Sequence, residues 1–238
     1  MTEVGLLING IFIKVPPGQS VLQAAQVLGV DIPTLCHHPD LPSEGHCRLC
    51  LVEVGEYPHT RLVNSCTYPA EQGLVVQTDS DRVLQARRLV LELLLARAPK
   101  AKLVRQMAAE LGVMETRFKI DDPEELCILC SQCVRTCREI VGVSAISMAY
   151  RTPGKVVATP FLEQSEACIG CGSCAFICPT DVIPYTERHG VRTIWGRDFE
   201  LVPCNVCGNY IAPMAQLEHW AKITGDPVEN FFVCRDCR

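Results

Sequence analysis

Sixteen cysteines in 238 residues fall into four sets of four. The sets are Cys36, Cys47, Cys50 and Cys66; Cys127, Cys130, Cys133 and Cys137; Cys168, Cys171, Cys174 and Cys178; and Cys204, Cys207, Cys234 and Cys237. Four thiolates complete one tetrahedral zinc, one 4Fe–4S cube or one 2Fe–2S rhomb, and this grouping leaves no cysteine over. The tight C-x2-C steps suit chelation. A disulfide framework is disfavoured by the length of the chain and by its start, MTEVGLLINGIFIK, which has no basic n-region and an apolar stretch broken at Asn9-Gly10. No signal peptide is therefore expected, and a reducing, cytoplasmic compartment is.

The two middle sets carry the most specific spacing. CILCSQCVRTC and CIGCGSCAFICP repeat C-x2-C-x2-C-x3-C. Three thiolates in such a run wrap one cubane, while the fourth ligates the other cluster. This predicts Cys127, Cys130, Cys133 and Cys178 on a first 4Fe–4S cluster, and Cys137, Cys168, Cys171 and Cys174 on a second. Cys178-Pro179 keeps the usual proline, whereas Cys137 is followed by Arg138. Gly170 and Gly172 are expected to let backbone N–H groups approach sulfide.

The outer sets leave more open. Cys36, Cys47, Cys50 and Cys66 have the spacing C-x10-C-x2-C-x15-C, which differs from the plant-type pattern. A 2Fe–2S rhomb is favoured there and zinc is the alternative. His37, His38 and His46 lie nearby but are expected to be surface or hydrogen-bonding residues, because four cysteines already complete the site. Cys204, Cys207, Cys234 and Cys237 form two C-x2-C steps, with Gly208 after the first. Structural zinc is favoured, a third 4Fe–4S cluster is chemically open, and free thiols are the remaining reading. Arg235 and Arg238 are candidates to offset the charge of that site, or solvated residues of an exposed tail.

The elements that must position these residues are readable in outline. Val4–Ile8 and Ile11–Val15 flank Asn9-Gly10, a two-residue hairpin signal. Ser20 can cap a helix through Leu28, and Leu49–Val54 and Leu74–Thr78 read as strands. Residues 1–79 thus suggest a β-grasp, ferredoxin-type unit. Asp79 or Ser80 can cap a long helix ending before Pro99, and a second helix runs from about Lys102 to Leu111. Residues 80–120 are a helical spacer that packs one cluster domain on the next. Residues 121–186, with β-like stretches at Val143–Tyr150 and Val182–Tyr185, form a two-cluster ferredoxin domain. Residues 187–238 carry strands at Arg192–Trp195 and Glu200–Val202 and a helix over about Pro213–Ile223, a small zinc-ribbon-like module. The fold class is α+β.

Composition excludes other classes. Twenty-two basic against 27 acidic residues give a net charge of −5, and aromatics are 6%, neither of which suits a nucleic-acid surface. The longest apolar stretch, Leu89 to Ala96, is interrupted by Glu92, so no membrane span is expected. No G-x-G-x-x-G loop follows a strand and no hydrolytic triad is evident, so a hydride site of the chain's own is not expected. Asp121-Asp122 and Glu124-Glu125 read as a solvated acidic loop. A structural zinc protein for protein binding is a remote alternative, disfavoured by the duplicated cysteine runs.

IPTLCHHPDLPSEGHCRLCLVEV, SCTYPAEQGLVVQT, VLQARRLVLELLLARAP and the two cysteine runs resemble, over roughly residues 1–185, the N-terminal part of the large iron–sulfur subunit of complex I. The same region occurs in diaphorase-type iron–sulfur subunits of NAD-linked bidirectional or bifurcating hydrogenases and in some formate dehydrogenases. The resemblance implies Cys36, Cys47, Cys50 and Cys66 as 2Fe–2S ligands. It implies a relay subunit between an NADH-oxidising FMN flavoprotein and a hydrogenase, or alternatively a formate dehydrogenase or other NADH-linked reductase. A small thioredoxin-like 2Fe–2S subunit is a further expected partner, and ferredoxin another candidate. No catalytic domain follows residue 238, so a separate catalytic subunit is expected. The family commonly adds a 4Fe–4S site held by one histidine and three cysteines after the long helix. Residues 96–126 hold neither residue type, so that cluster is expected to be absent.

Overall fold

A computed structural model describes residues 3–151 and 154–238, in two compact units, residues 1–130 and 131–238. In the first unit β1 (Val4–Ile8) and β2 (Ile11–Val15) pair antiparallel with Ile8 opposite Ile11. Asn9 and Gly10 both take positive φ, as this tight turn requires. The Asn9 side chain then ties the turn to a later strand end, accepting from the Thr78 N–H at 2.8 Å. Ser20 caps α1 (Val21–Val27) in a reciprocal capping box with Gln23,. Strands β3 (Leu51–Val54), β4 (Arg61–Asn64) and β5 (Val75–Gln77) complete a mixed sheet of order β2-β1-β5-β3-β4, with β1 and β5 parallel. Alternation along β1 and β3 sends Leu6, Ile8, Val52 and Val54 inward against Val21, Leu22, Ala24 and Ala25 of α1. Each large side chain so buried contributes roughly 1.5–3 kcal/mol.

Ser80 caps α2 (Asp81–Arg97), which ends two residues before Pro99. Its buried residues Val83, Arg87, Leu91, Leu94 and Leu95 follow helical spacing,. α3 (Lys102–Glu110) returns beside it, and Ala98, Ala101, Val104 and Ala108 let the two helices approach. This helical core includes Leu35, Cys36, Cys47 and Leu49 from the first cysteine loop, and Ile128 and Cys130.

In the second unit, α4 (Gln132–Arg135) runs into a single π-helical turn, Thr136–Ile140, that carries Cys137. β6 (Ser147–Ala149) and β7 (Val156–Ala158) form a short hairpin, and α5 (Ser173–Phe176) follows the third cysteine set's turn. β8 (Tyr185–Arg188), β9 (Val191–Ile194), β10 (Arg197–Pro203) and β11 (Tyr210–Pro213) make an antiparallel sheet of order β11-β10-β9-β8, followed by α6 (Met214–Thr224). Ile194 and Phe199 of this sheet share a core with Cys133, Cys137 and Cys174. Val182–Tyr185 corrects one expectation. Only Tyr185 of that stretch is in a strand, because the chain there is still leaving the Cys178 turn, and Ile183 is buried without ladder pairing. Among the described residues, no helix is long and apolar enough to cross a membrane.

Candidate metal centres

The first set sits on the loop between α1 and β3 and on the segment after β4. All four sulfurs are buried. The Cys47 N–H donates to Cys36 Sγ at 3.3 Å. The thiols pair as Cys36 with Cys47 and Cys50 with Cys66. Hydrogen bonding from its partner pulls Cys47 down to about 6 and Cys50 down to about 7, and pushes Cys36 and Cys66 up. Two pairs of sulfurs, one member of each held down by its partner, suit a rhomb that takes two cysteines per iron,. Cys36 and Cys47 belong to the helical core, whereas Cys50 and Cys66 belong to the sheet core. All three nearby histidines have hydrogen-bond partners: His37 with the Ser43 hydroxyl, His38 with the Asp40 N–H, and His46 with Glu44. Arg87 is buried behind this loop and donates to the Leu51 carbonyl at 2.6 Å.

Cys127 and Cys130 lie in the first unit, where the Leu129 N–H donates to Cys127 Sγ at 3.4 Å. Glu125 departs from the expectation of a solvated acidic loop. Its carboxylate accepts the Leu126 and Cys127 N–H groups at 2.9 and 2.8 Å and pairs with Arg97 at 3.2 Å. It thereby braces the start of the cysteine run. Cys133 and Cys178 lie in the second unit, buried and half-buried respectively.

Cys137, Cys168, Cys171 and Cys174 line one apolar cavity, walled by Val143, Ile146, Ile194 and Trp195. Burial pushes the Cys137 and Cys168 thiols up and takes Cys174 to about 11. Such a pocket favours thiolate only with a compensating cation, as cluster iron provides. The Ala145 N–H donates to Cys137 Sγ at 3.2 Å, and the Trp195 indole N–H to Cys174 Sγ at 3.4 Å. Gly170 and Gly172 have φ of +68° and +75°, and a Cβ on either would stand 2.7 Å from the rings of Phe199 and Tyr185 respectively. Aromatic packing therefore requires these glycines. Leu129 and Ser131 occupy the corresponding positions of the other run and also have positive φ, 54° and 59°, so the repeat extends to backbone conformation.

Cys204, at the end of β10, and Cys207, Cys234 and Cys237 bring their sulfurs within 4.8 Å of one another. Cys207 and Cys234 are 3.7 Å apart. The Cys234 and Val206 N–H groups donate to Cys204 Sγ at 3.3 and 3.4 Å, and with the Cys207 N–H they pull that thiol down to about 6. Arg238 donates to the Asn230 and Val233 carbonyls and lies over the Phe231 ring.

Sequence reasoning missed Trp195, Arg192 and Arg197. Arg192 is buried and donates to the Gly170 carbonyl at 2.7 Å, while Arg197 donates to the Ser165 and Cys168 carbonyls at 3.0 and 3.2 Å. Arg192 and Trp195 carry only their place in an expected strand, of which Trp195 proves to be a turn residue, and Arg197 carries no signal; what they face is set only when the hairpin forms.

Known families match the segments that carry the first three cysteine sets. Residues 1–81 match the 2Fe-2S iron-sulfur cluster binding domain family, and residues 126–182 match the 4Fe-4S dicluster domain family. The NADP-reducing hydrogenase subunit HndD of Solidesulfovibrio fructosivorans is 34% identical over 214 residues, covering 77% of this chain and 36% of that protein. The NADH-ubiquinone oxidoreductase 78 kDa subunit of Candida albicans is 29% identical over 216 residues, covering 79% of this chain and 30% of that protein. The chain thus spans about a third of the length of these curated relatives. A chain in a crystal structure of NAD+-reducing [NiFe]-hydrogenase in the H2-reduced state superposes with a TM-score of 0.58 at 30% identity, covering 66% of this chain and 74% of that one.

Proposed function

We propose a function from one premise: the chain belongs to the family of iron–sulfur subunits that NAD-linked hydrogenases share with the N-terminal part of the large subunit of complex I. Within that family it is an electron-transfer subunit. It carries one 2Fe–2S cluster on Cys36, Cys47, Cys50 and Cys66, and two 4Fe–4S clusters. The first cubane is assigned from its cysteine motif to Cys127, Cys130, Cys133 and Cys178. The second is assigned to Cys137, Cys168, Cys171 and Cys174. The clusters supply the redox chemistry; the chain supplies thiolates, burial and N–H donors. Segment 1–79 holds the rhomb, 80–120 packs as a spacer, 121–186 holds the cubanes and 187–238 is a metal-bearing module.

The observation that carries this reading is the apolar cavity in which four cysteines are the principal chemistry. A site built to bind a polar substrate presents convergent polar side chains; this one presents sulfur. The relay runs between an NADH-oxidising FMN flavoprotein, with a thioredoxin-like 2Fe–2S subunit, and a hydrogenase, in the reducing cytoplasm. Electrons cross from the 2Fe–2S domain to the cubanes directly or through a partner's cluster.

Cys204, Cys207, Cys234 and Cys237 hold zinc. What supports zinc over a cube is spacing. Four sulfurs around one ion at about 2.3 Å are roughly 3.8 Å apart, whereas a cubane places each thiolate on its own corner iron, about 6 Å apart. The sulfurs here lie within 4.8 Å.

Anaerobically purified chain should be brown, contain acid-labile sulfide, and give one 2Fe–2S and two 4Fe–4S reduced signals by paramagnetic resonance. With the flavoprotein present, NADH should reduce them; without it, only dithionite should. A colourless, sulfide-free, zinc-filled preparation would sink the reading.

A further inference from the structure

The hairpin that closes the apolar cysteine cavity lies outside the matched dicluster region, residues 126–182. Its two-residue turn, Trp195-Gly196, joins β9 to β10 with Ile194 opposite Arg197. Both turn residues have positive φ, 53° and 69°. A turn of this hand favours asparagine or glycine first, and an aromatic residue in the left-handed region is strained. The conformation is held from outside. Gln164 donates to the Gly196 carbonyl at 2.6 Å, and Arg197 donates to the Ser165 and Cys168 carbonyls. The result is an indole that walls the cavity and directs its N–H at Cys174 Sγ, 3.4 Å away.

We propose that Trp195 sets the reduction potential of the 4Fe–4S cluster held by Cys137, Cys168, Cys171 and Cys174, by donating its indole N–H to the Cys174 ligand. The inference rests on the reading of those four cysteines as one cluster's ligands. Reduction adds negative charge that is shared with the thiolate sulfurs. A donor aimed at one of them stabilises the reduced form more than the oxidised form and raises the potential. An apolar wall excludes competing water, so the single N–H has a large effect. Arg197, bound to the Cys168 carbonyl, adds positive potential on the same side. Trp195 is thus a tuning residue, and it moves this cubane's potential upward from what the same four thiolates would set without it,. The C-terminal module thereby acts on electron flow as well as on folding.

The test is a redox titration of the full chain, followed by paramagnetic resonance. Trp195→Phe keeps a ring in the wall and removes the N–H. One of the two 4Fe–4S midpoints should move to more negative potential while the other 4Fe–4S midpoint and that of the 2Fe–2S cluster hold. The reduced-to-oxidised ratio at the wild-type midpoint should fall by several-fold up to ~tenfold, the latter being about 59 mV for one electron. Unchanged midpoints with every cluster present, or equal shifts of both cubanes, would overturn the proposal. A second measurement needs no variant. In wild-type chain carrying 15N-indole tryptophan, pulsed electron–nuclear double resonance should detect 15N coupled to one reduced 4Fe–4S signal. Its absence overturns the proposal even if Trp195→Phe fails to load. Wild-type chain with no 4Fe–4S signal at all overturns the ligand assignment beneath it, a distinguishable failure.

Discussion

Two single residues carry more than their composition suggests. Arg87 is a buried cation whose hydrogen bond to the Leu51 carbonyl holds the strand that follows Cys50. Arg87→Met fills the space but leaves that carbonyl without a donor, a loss of about 1–3 kcal/mol, measurable as a lower urea midpoint. The Cys50 and Cys66 environment should loosen with it, seen as faster loss of the 2Fe–2S absorbance under chelator. Gly170 is constrained twice, by its positive φ and by the Phe199 ring at 2.7 Å from any added Cβ. Gly170→Ala must displace that ring, so the cubane held by the adjacent cysteines should load poorly. Iron and sulfide analysis should show one 4Fe–4S signal lost and the 2Fe–2S signal retained.

At the scale of elements, the start of α2 is tied to the sheet through Glu53. Its carboxylate accepts from the Ser80 and Thr60 hydroxyls, both at 2.6 Å, and pairs with Arg82 at 3.1 Å. The Ser80 and Thr60 hydroxyls, with Arg82, hold the Glu53 carboxyl below the usual range. A lowered carboxyl adds stability that is present above the ordinary glutamate pKa and is lost as pH falls through the lowered value. Glu53→Gln should therefore lower the urea midpoint at neutral pH by the equivalent of about 1 kcal/mol. The gap from wild type should narrow as pH drops below about 4.3. Local signals made this part of the fold legible. Asn9-Gly10, the Ser20 box and the Ser80 cap each act within a few residues, so hairpin and helices could be read directly. β4, β7 and β11 escaped because each has only three or four residues and is defined by a partner supplied elsewhere. Trp195 escaped for a related reason: a lone aromatic in a turn gives no sign of facing a sulfur until the hairpin forms.

At the scale of the whole molecule, the C-terminal metal should be separable from the iron. Its four sulfurs sit in the last segment, on turns joined by the Asn205 N–H to the Phe232 carbonyl at 2.9 Å. Cys237→Ser in the full chain should abolish zinc by metal analysis and make residues 205–237 sensitive to protease. The 2Fe–2S signal should remain, because the first cysteine set lies wholly within the other unit.

The first cysteine set divides its sulfurs between two hydrophobic cores, Cys36 and Cys47 among helices α2 and α3, Cys50 and Cys66 against the sheet. A 2Fe–2S cluster held by all four, as proposed, would rivet both halves of one body. Iron-loaded chain should melt that body in a single calorimetric step. Chain made under iron starvation should show two steps, each half yielding by itself. Limited proteolysis should then cut iron-starved chain earlier than loaded chain at the boundary between those two cores.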